Sequence, residues 1–252
     1  MDSRHPGPRR APVPPAILAL FAIDLLLAAG YYVNYLVGRP FHMVNIQLDL
    51  GAETNFTTWY ASAKWLLVAA SFAVLAWRGF QKRAPSAYVM LLPVLLCTML
   101  SADEVARVHE WIGRKADHAL LPGGSRYTTP LLRSGIWMFV LVPPVAFAAW
   151  IGARSVFRFY AGAHASRVRA VVGWVGFFGA AGGLELLANL TVGNEHLSVL
   201  QVLAEESGEM LAVTVICWSQ LELLRGAGAR IAFEAPVGRE PEPESIRPVG
   251  VP

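Results

Sequence analysis

Apolar residues run through the chain in six long blocks, and short polar segments separate them. The blocks cover roughly residues 16–38, 56–78, 87–112, 134–157, 169–191 and 198–224. A helix rises about 1.5 Å per residue, so about 20 residues cross the ~30 Å hydrocarbon core of a bilayer. The pattern therefore predicts an all-α fold, a polytopic bundle of about six transmembrane helices.

The segments that flank these blocks have a different composition. Residues 1–15 are rich in proline and arginine, and residues 226–252 are rich in proline, glutamate and glycine. Neither segment carries enough apolar surface to form a core, so we expect disordered tails around a transmembrane domain at 16–225. The first apolar block continues through Tyr31 and Tyr32, which favours a membrane helix over a cleaved signal peptide.

The overall composition agrees with a chain that contacts lipid. Hydrophobic residues make up 55% of the sequence and charged residues only 15%, with a net charge of +3. The basic residues lie in short clusters between the apolar blocks and not along one face, which argues against nucleic acid as a partner. The lipid bilayer is the predicted partner, and no feature of the sequence indicates an oligomeric state.

The distribution of lysine and arginine predicts the orientation. The termini and loops of one side hold 14 of these residues, the opposite loops hold five, and Lys64 and Arg107 fall inside apolar blocks. Cytoplasmic loops retain positive charge, so both termini are predicted to be cytoplasmic.

Two blocks carry residues that are unusual in a helix surrounded only by lipid. Pro143 and Pro144 lie midway along the fourth block, where the missing N–H groups should bend or break a helix. Glycines recur every three residues in the fifth block, from Gly173 through Gly176 and Gly179 to Gly182, with Gly183 beside them. This spacing is typical of close packing against another helix.

Ionisable residues concentrate in the outer halves of the second, third, fifth and sixth blocks. An ionised side chain at the centre of a membrane helix costs about 2.5–3.5 kcal/mol, so such residues normally face the bundle interior. In a continuous third helix Asp103 and Glu110 share one face, and His109 points away from it. The predicted intramembrane polar cluster comprises Glu53, Lys64, Asp103, Glu104, Arg107, Glu110, Glu185, Asn189, Glu205, Glu206 and Glu209.

The charge of this cluster is unbalanced. Without Glu53 it holds seven carboxylates against Lys64 and Arg107, which leaves −5 if all of them ionise. A dry bundle does not tolerate that imbalance, so protons, a cation or water must offset it. We therefore predict an outward-facing acidic site that binds a cation, either a metal or a proton. The sequence assigns no catalytic residue, and its specific activity stays open.

Three readings of this site remain open from the residues. The first is a metal centre, in which a divalent metal is the cofactor; its candidate ligands are Asp103, Glu104, His109, Glu185, Glu206 and Glu209. No intramembrane pair has the Glu-x-x-His spacing of helical di-iron sites. The second is a proton- or cation-coupled transporter, in which Asp24 could extend the route inward. The third is a structural network tied together by Lys64 and Arg107.

Three stretches of the chain carry a family resemblance. They are Leu48-Asp49-Leu50-Gly51-Ala52-Glu53-Thr54-Asn55 before Thr58-Trp59-Tyr60-Ala61-Ser62, then Ser101-Ala102-Asp103-Glu104 before His109-Glu110, then Glu205-Glu206-Ser207-Gly208-Glu209-Met210. In this order and spacing they resemble an uncharacterised bacterial family of six-helix membrane proteins. The resemblance implies location in the bacterial inner membrane and makes the acidic cluster a family feature, but it implies no reaction.

A fainter likeness is to the ceramidase-like membrane hydrolases. That resemblance implies a zinc ion held by three histidines, with an acidic residue that activates water against a lipid substrate. This chain departs from the pattern because only His109 lies within the body of an apolar block. The other candidates, His42, His118 and His196, lie at the margins of the blocks or in loops. A metal-dependent lipid hydrolase is thus an alternative function.

Overall fold

The structure is a computed structural model that describes residues 12–52, 54–121, 123, 136–157 and 163–226. These residues form helices and turns with no β-strand among them, which confirms the all-α prediction. The helices are α1 (Pro15–Leu36), α2 (His42–Gln47), α3 (Phe56–Gln81), α4 (Leu91–Ala106), α5 (Val108–Leu120), α6 (Trp137–Val156), α7 (His164–Phe178), α8 (Glu185–Ala188) and α9 (Glu195–Gly226). Short 3-10 turns at Pro85–Met90 and Asn189–Thr191, and a π-helical segment at Gly179–Leu184, connect some of them.

Four helical runs have the length and apolar character needed to cross a membrane. They are Pro15–Leu36, Phe56–Gln81, Ala87–Ala106 and His164–Thr191. Large apolar side chains also cover the outside of the bundle, as on α1, where Leu25 and Leu26 are 58% and 70% exposed. An apolar exterior of this kind is typical of a helix bundle in lipid.

The long helix α9 lies at the centre of the packing. It contacts α1, α3 and α7, while α3 also packs along α4. The core between them includes Trp65, Phe72 and Ile216. Two serines also join α7 to α9, because Ser166 and Ser219 each donate a hydroxyl hydrogen bond to the other's carbonyl oxygen, at 2.7 and 2.8 Å. Such reciprocal bonds are typical of closely packed membrane helices.

The glycines of the fifth block divide into two groups. A Cβ atom on Gly173 would lie 2.6 Å from Ile216 Cγ1, so α9 approaches the backbone of α7 closely at that point. At Gly179, Gly182 and Gly183 an added Cβ would meet no atom of the described residues within 4 Å. Close packing therefore explains the first part of the glycine repeat. The last three glycines belong instead to the π-helical segment.

The prediction of one continuous helix for the third span is wrong. The chain leaves helical geometry at Arg107, which adopts the left-handed conformation with φ 56° and ψ 40°, and α5 starts after it. Asp103 accepts a hydrogen bond from the backbone N–H of His109 at 2.8 Å and so satisfies a donor in the first turn of α5. The predicted charged face over residues 103–110 is therefore broken.

In α6 the helix continues through Pro143 and Pro144, so the proline pair does not break it. The predicted tails, at residues 1–15 and 226–252, lie almost wholly outside the described residues; Pro15 and Gly226 are the ends of α1 and α9.

Candidate functional site

A buried ion pair joins α1 to α3 near the middle of both helices. Lys64 Nζ lies 2.7 Å from Asp24 Oδ1, and the two side chains are 1% and 0% exposed. Charges removed from water are tolerated only with close partners, so the pair fixes the relative position of the two helices.

Three further groups form hydrogen bonds with this pair. The Tyr60 hydroxyl donates to Asp24 Oδ1 at 2.8 Å, and the Thr214 hydroxyl donates to Asp24 Oδ2 at 2.6 Å. Lys64 also donates to the carbonyl oxygen of Met210 at 2.8 Å. Helix α9 thereby takes part in the network, which we call the buried pair (Asp24, Tyr60, Lys64 and Thr214).

The buried pair changes the charge balance expected from the sequence. Asp24 is the direct ion-pair partner of Lys64, so this lysine alone does not balance the glutamates toward the amino-terminal end of α9. Sequence reasoning missed Asp24 as its partner, although a single anion in one apolar helix and a single cation in another is a signal for pairing. No sequence signal points to Thr214, because a threonine is common in membrane helices.

Glutamates from two helices meet nearer the amino-terminal end of α9, before Met210 and Thr214 in the chain. Glu185 and Glu205 are neighbours, close enough for their carboxyl groups to interact. Gln201, one turn before Glu205, donates to the Glu205 carboxylate and also to the carbonyl oxygen of Leu184 at 3.2 Å. Two neighbouring carboxylates repel each other, which favours the binding of a proton or a cation between them.

Three more carboxyl groups approach this pair. Glu209 lies close enough to Glu206, Glu104, Glu205 and Glu185 to be affected by the charge of each. Glu205 is buried, and the others are half-buried. We call this group the acidic cluster, and its members are Glu104, Glu185, Glu205, Glu206 and Glu209.

The π-helical segment decides where Glu185 points. It covers Gly179–Leu184, directly before Glu185, and the widened turn shifts the angular position of every later residue. Its exposed glycines accept that geometry without side-chain clashes. The sequence gives no sign of a π turn, and π turns are frequent at functional sites.

Asp103 and the residues after it contact one another. Asp103 Oδ2 lies 2.7 Å from His109 Nδ1, so the expectation that His109 points away from Asp103 is wrong. Arg107 and Arg114 both pair with Glu110, and the Arg114 contact measures 2.9 Å. Burial alone would raise the pKa of Glu110, but the two guanidinium groups outweigh it and hold the pKa below its ordinary value.

The remaining predicted site residues are Asn189 and Glu53. Asn189 donates to the carbonyl oxygen of Leu186 in its own helical turn at 3.1 Å. Glu53 lies outside the described residues. Within the described part of the chain, no group of three or more histidine, cysteine, aspartate or glutamate side chains is arranged to hold a metal ion. The six residues predicted as metal ligands are all described, and they form no such group.

Comparison with known proteins gives a family without an assigned role. A family model described as a domain of unknown function (DUF8692) matches residues 17–223. Neither the curated proteins nor the solved structures contain a match to the chain.

Proposed function

The chain belongs to the DUF8692 family, and we propose that it is a multi-pass protein of the bacterial inner membrane whose acidic cluster binds protons from the external side. The observation that carries the proposal is the position of Glu185 beside Glu205: Gln201 donates both to the carbonyl oxygen of Leu184, the residue before Glu185, at 3.2 Å and to the Glu205 carboxylate. Because Lys64 pairs directly with Asp24, a proton is the simplest species that relieves the repulsion between these two glutamates.

A proton suits this site better than a metal. The described carboxyl groups do not form a metal-binding group of three, and the Glu205 carboxylate uses an oxygen to accept from Gln201. A metal-dependent lipid hydrolase would need such a ligand set. Proton binding needs only carboxyl groups with a path to water, and Glu206 and Glu209 are both partly exposed.

The order of polar groups along α9 supports movement of protons as well as binding. From the acidic cluster, α9 leads past Met210 to Thr214, where the buried pair begins. Chains of ionisable groups inside membranes commonly mark proton routes. We therefore propose proton-coupled transport as the class of activity, with Lys64 and Asp24 at the inner end of the route.

The proposed topology has six spans. The four membrane-length runs, together with α6 and α9, make up these spans. The short helices α2 and α5 then lie at the external surface. Both termini are then cytoplasmic, in agreement with the lysine and arginine distribution. A single cysteine at position 125, in a variant without Cys97 and Cys217, should react with a membrane-impermeant reagent from outside; absence of labelling would contradict the orientation.

Proton flux in liposomes that contain the purified chain tests the function. Glu185→Gln and Glu205→Gln should lose most of the pH-driven flux, because neither amide releases a proton. Glu195→Gln is the matched control, since Glu195 is an exposed residue at the start of α9. Equal flux in all three variants would reject the proposal. If the purified wild-type protein contained a stoichiometric metal that both cluster variants lacked, the site would bind a metal and not a proton.

A further inference from the structure

A groove at the opposite end of the bundle has no part in the proposed proton route. It has a volume of about 400 Å³ and lies between the end of α6 and the first turns of α7. The described residues that line it are Phe157, His164, Arg167, Val168, Val171 and Val172.

The wall of the groove is apolar. Val168, Val171 and Val172 follow the i, i+3, i+4 spacing that places side chains on one face of a helix. They are 46%, 43% and 56% exposed, and the apolar surface continues along α7 to Val175, which is 67% exposed. The groove therefore opens onto the surface of α7 that faces the hydrocarbon in the proposed topology.

One end of the groove is basic. His164 begins α7, and its Nδ1 atom lies 3.3 Å from Arg167 Nη2. Both side chains are exposed, and the first turn of α7 holds no acidic residue. A ligand in this groove would thus meet positive charge at one end and hydrocarbon side chains along the rest.

We propose that the groove binds an anionic phospholipid of the leaflet that meets the start of α7. The phosphate lies against Arg167 and His164, because a guanidinium group pairs with phosphate through two parallel hydrogen bonds. One acyl chain lies along the three valines and Phe157. A soluble phosphate would leave the valine wall unused, whereas an apolar ligand would leave the basic end unused.

Native mass spectrometry of the full chain, released from nanodiscs, tests this proposal. Nanodiscs with equal amounts of phosphatidylglycerol and phosphatidylcholine should yield protein that retains phosphatidylglycerol preferentially. Arg167→Gln should weaken that retention about fivefold, since a basic side chain at the membrane surface contributes about 1 kcal/mol toward an anionic lipid. Val171→Trp fills the groove without changing the charge and should also reduce retention.

The matched control is Arg225→Gln, which removes an exposed arginine from the last turn of α9 outside the groove. It should retain phosphatidylglycerol like the wild type, and helical circular dichroism should be equal in all variants. Equal retention of the two lipids, or equal losses in Arg167→Gln and Arg225→Gln, would overturn the proposal. Displacement of the lipid by glycerol phosphate alone would also overturn it, because the site would then recognise only the headgroup.

Discussion

Lys64 and Asp24 are 40 residues apart in sequence, yet their charged atoms lie 2.7 Å apart in the interior of the bundle. The contact joins the first two membrane-length helices, and Thr214 extends it to α9. A single lysine that pairs directly with Asp24 does not offset the five glutamates of the acidic cluster.

Removing one partner of this pair should destabilise the protein strongly. Lys64→Met leaves the Asp24 carboxylate buried without its cation, for which we expect a loss of about 3–5 kcal/mol in the free energy of unfolding. The double variant Asp24→Leu/Lys64→Met leaves no unpaired charge and should lose less than the sum of the two single changes. Unfolding by SDS in mixed micelles measures all three; strictly additive losses would contradict the pairing.

The close approach of α7 and α9 should make Gly173 intolerant of a side chain. Gly173→Ala places a methyl group 2.6 Å from Ile216 Cγ1 and 3.0 Å from the carbonyl oxygen of Ala212, so we expect a loss of about 1–3 kcal/mol. Gly179→Ala is the control, since that position is open and has helical φ and ψ angles. Alanine should leave stability unchanged there or raise it by about 0.5–1 kcal/mol. Thermal unfolding in detergent compares the two, and equal effects would exclude close packing at Gly173.

Asn55 should act as more than a helix cap. Its Oδ1 accepts from the backbone N–H of Thr58 at 3.1 Å, while its Nδ2 donates to the carbonyl oxygens of Asp49 at 2.6 Å and Ile46 at 3.3 Å. Asn55→Ala loses every one of these bonds, and loss of the cap alone costs about 0.5–2 kcal/mol. Asn55→Asp retains the cap but not the two donors. Hydrogen exchange of residues 42–58 should therefore rise in both variants, and more in the alanine variant; faster exchange in the alanine variant alone would show that the donors contribute nothing.

The contribution of Glu110 should depend on pH. Its two arginine partners lower its folded pKa below the ordinary value of 4.5, so its stabilisation is present above that value and is lost as the pH falls through the folded pKa. The contacts are partly exposed, so Glu110→Gln should cost under about 1 kcal/mol at pH 7. The difference in melting temperature between the wild type and this variant should shrink below pH 4.5. A difference that grows in acid would contradict this assignment.

The acidic site was predicted only in part from the sequence. The residues of the acidic cluster are all among those predicted, because charge within apolar blocks is visible without a structure. Their grouping was not predictable in detail. The left-handed turn at Arg107 interrupts the helical face that Asp103 and Glu110 were expected to share, and Glu185 takes its direction from a π turn.

By itself the sequence determined that the chain is helical and rich in membrane-length apolar segments, since that property depends only on the local run of hydrophobic residues and the rise of a helix. Tertiary structure alone decided which polar groups meet. Partners such as Asp24, Lys64 and Thr214 come together through the rotation and crossing of helices distant in the chain, and side-chain packing along the whole contact sets those angles.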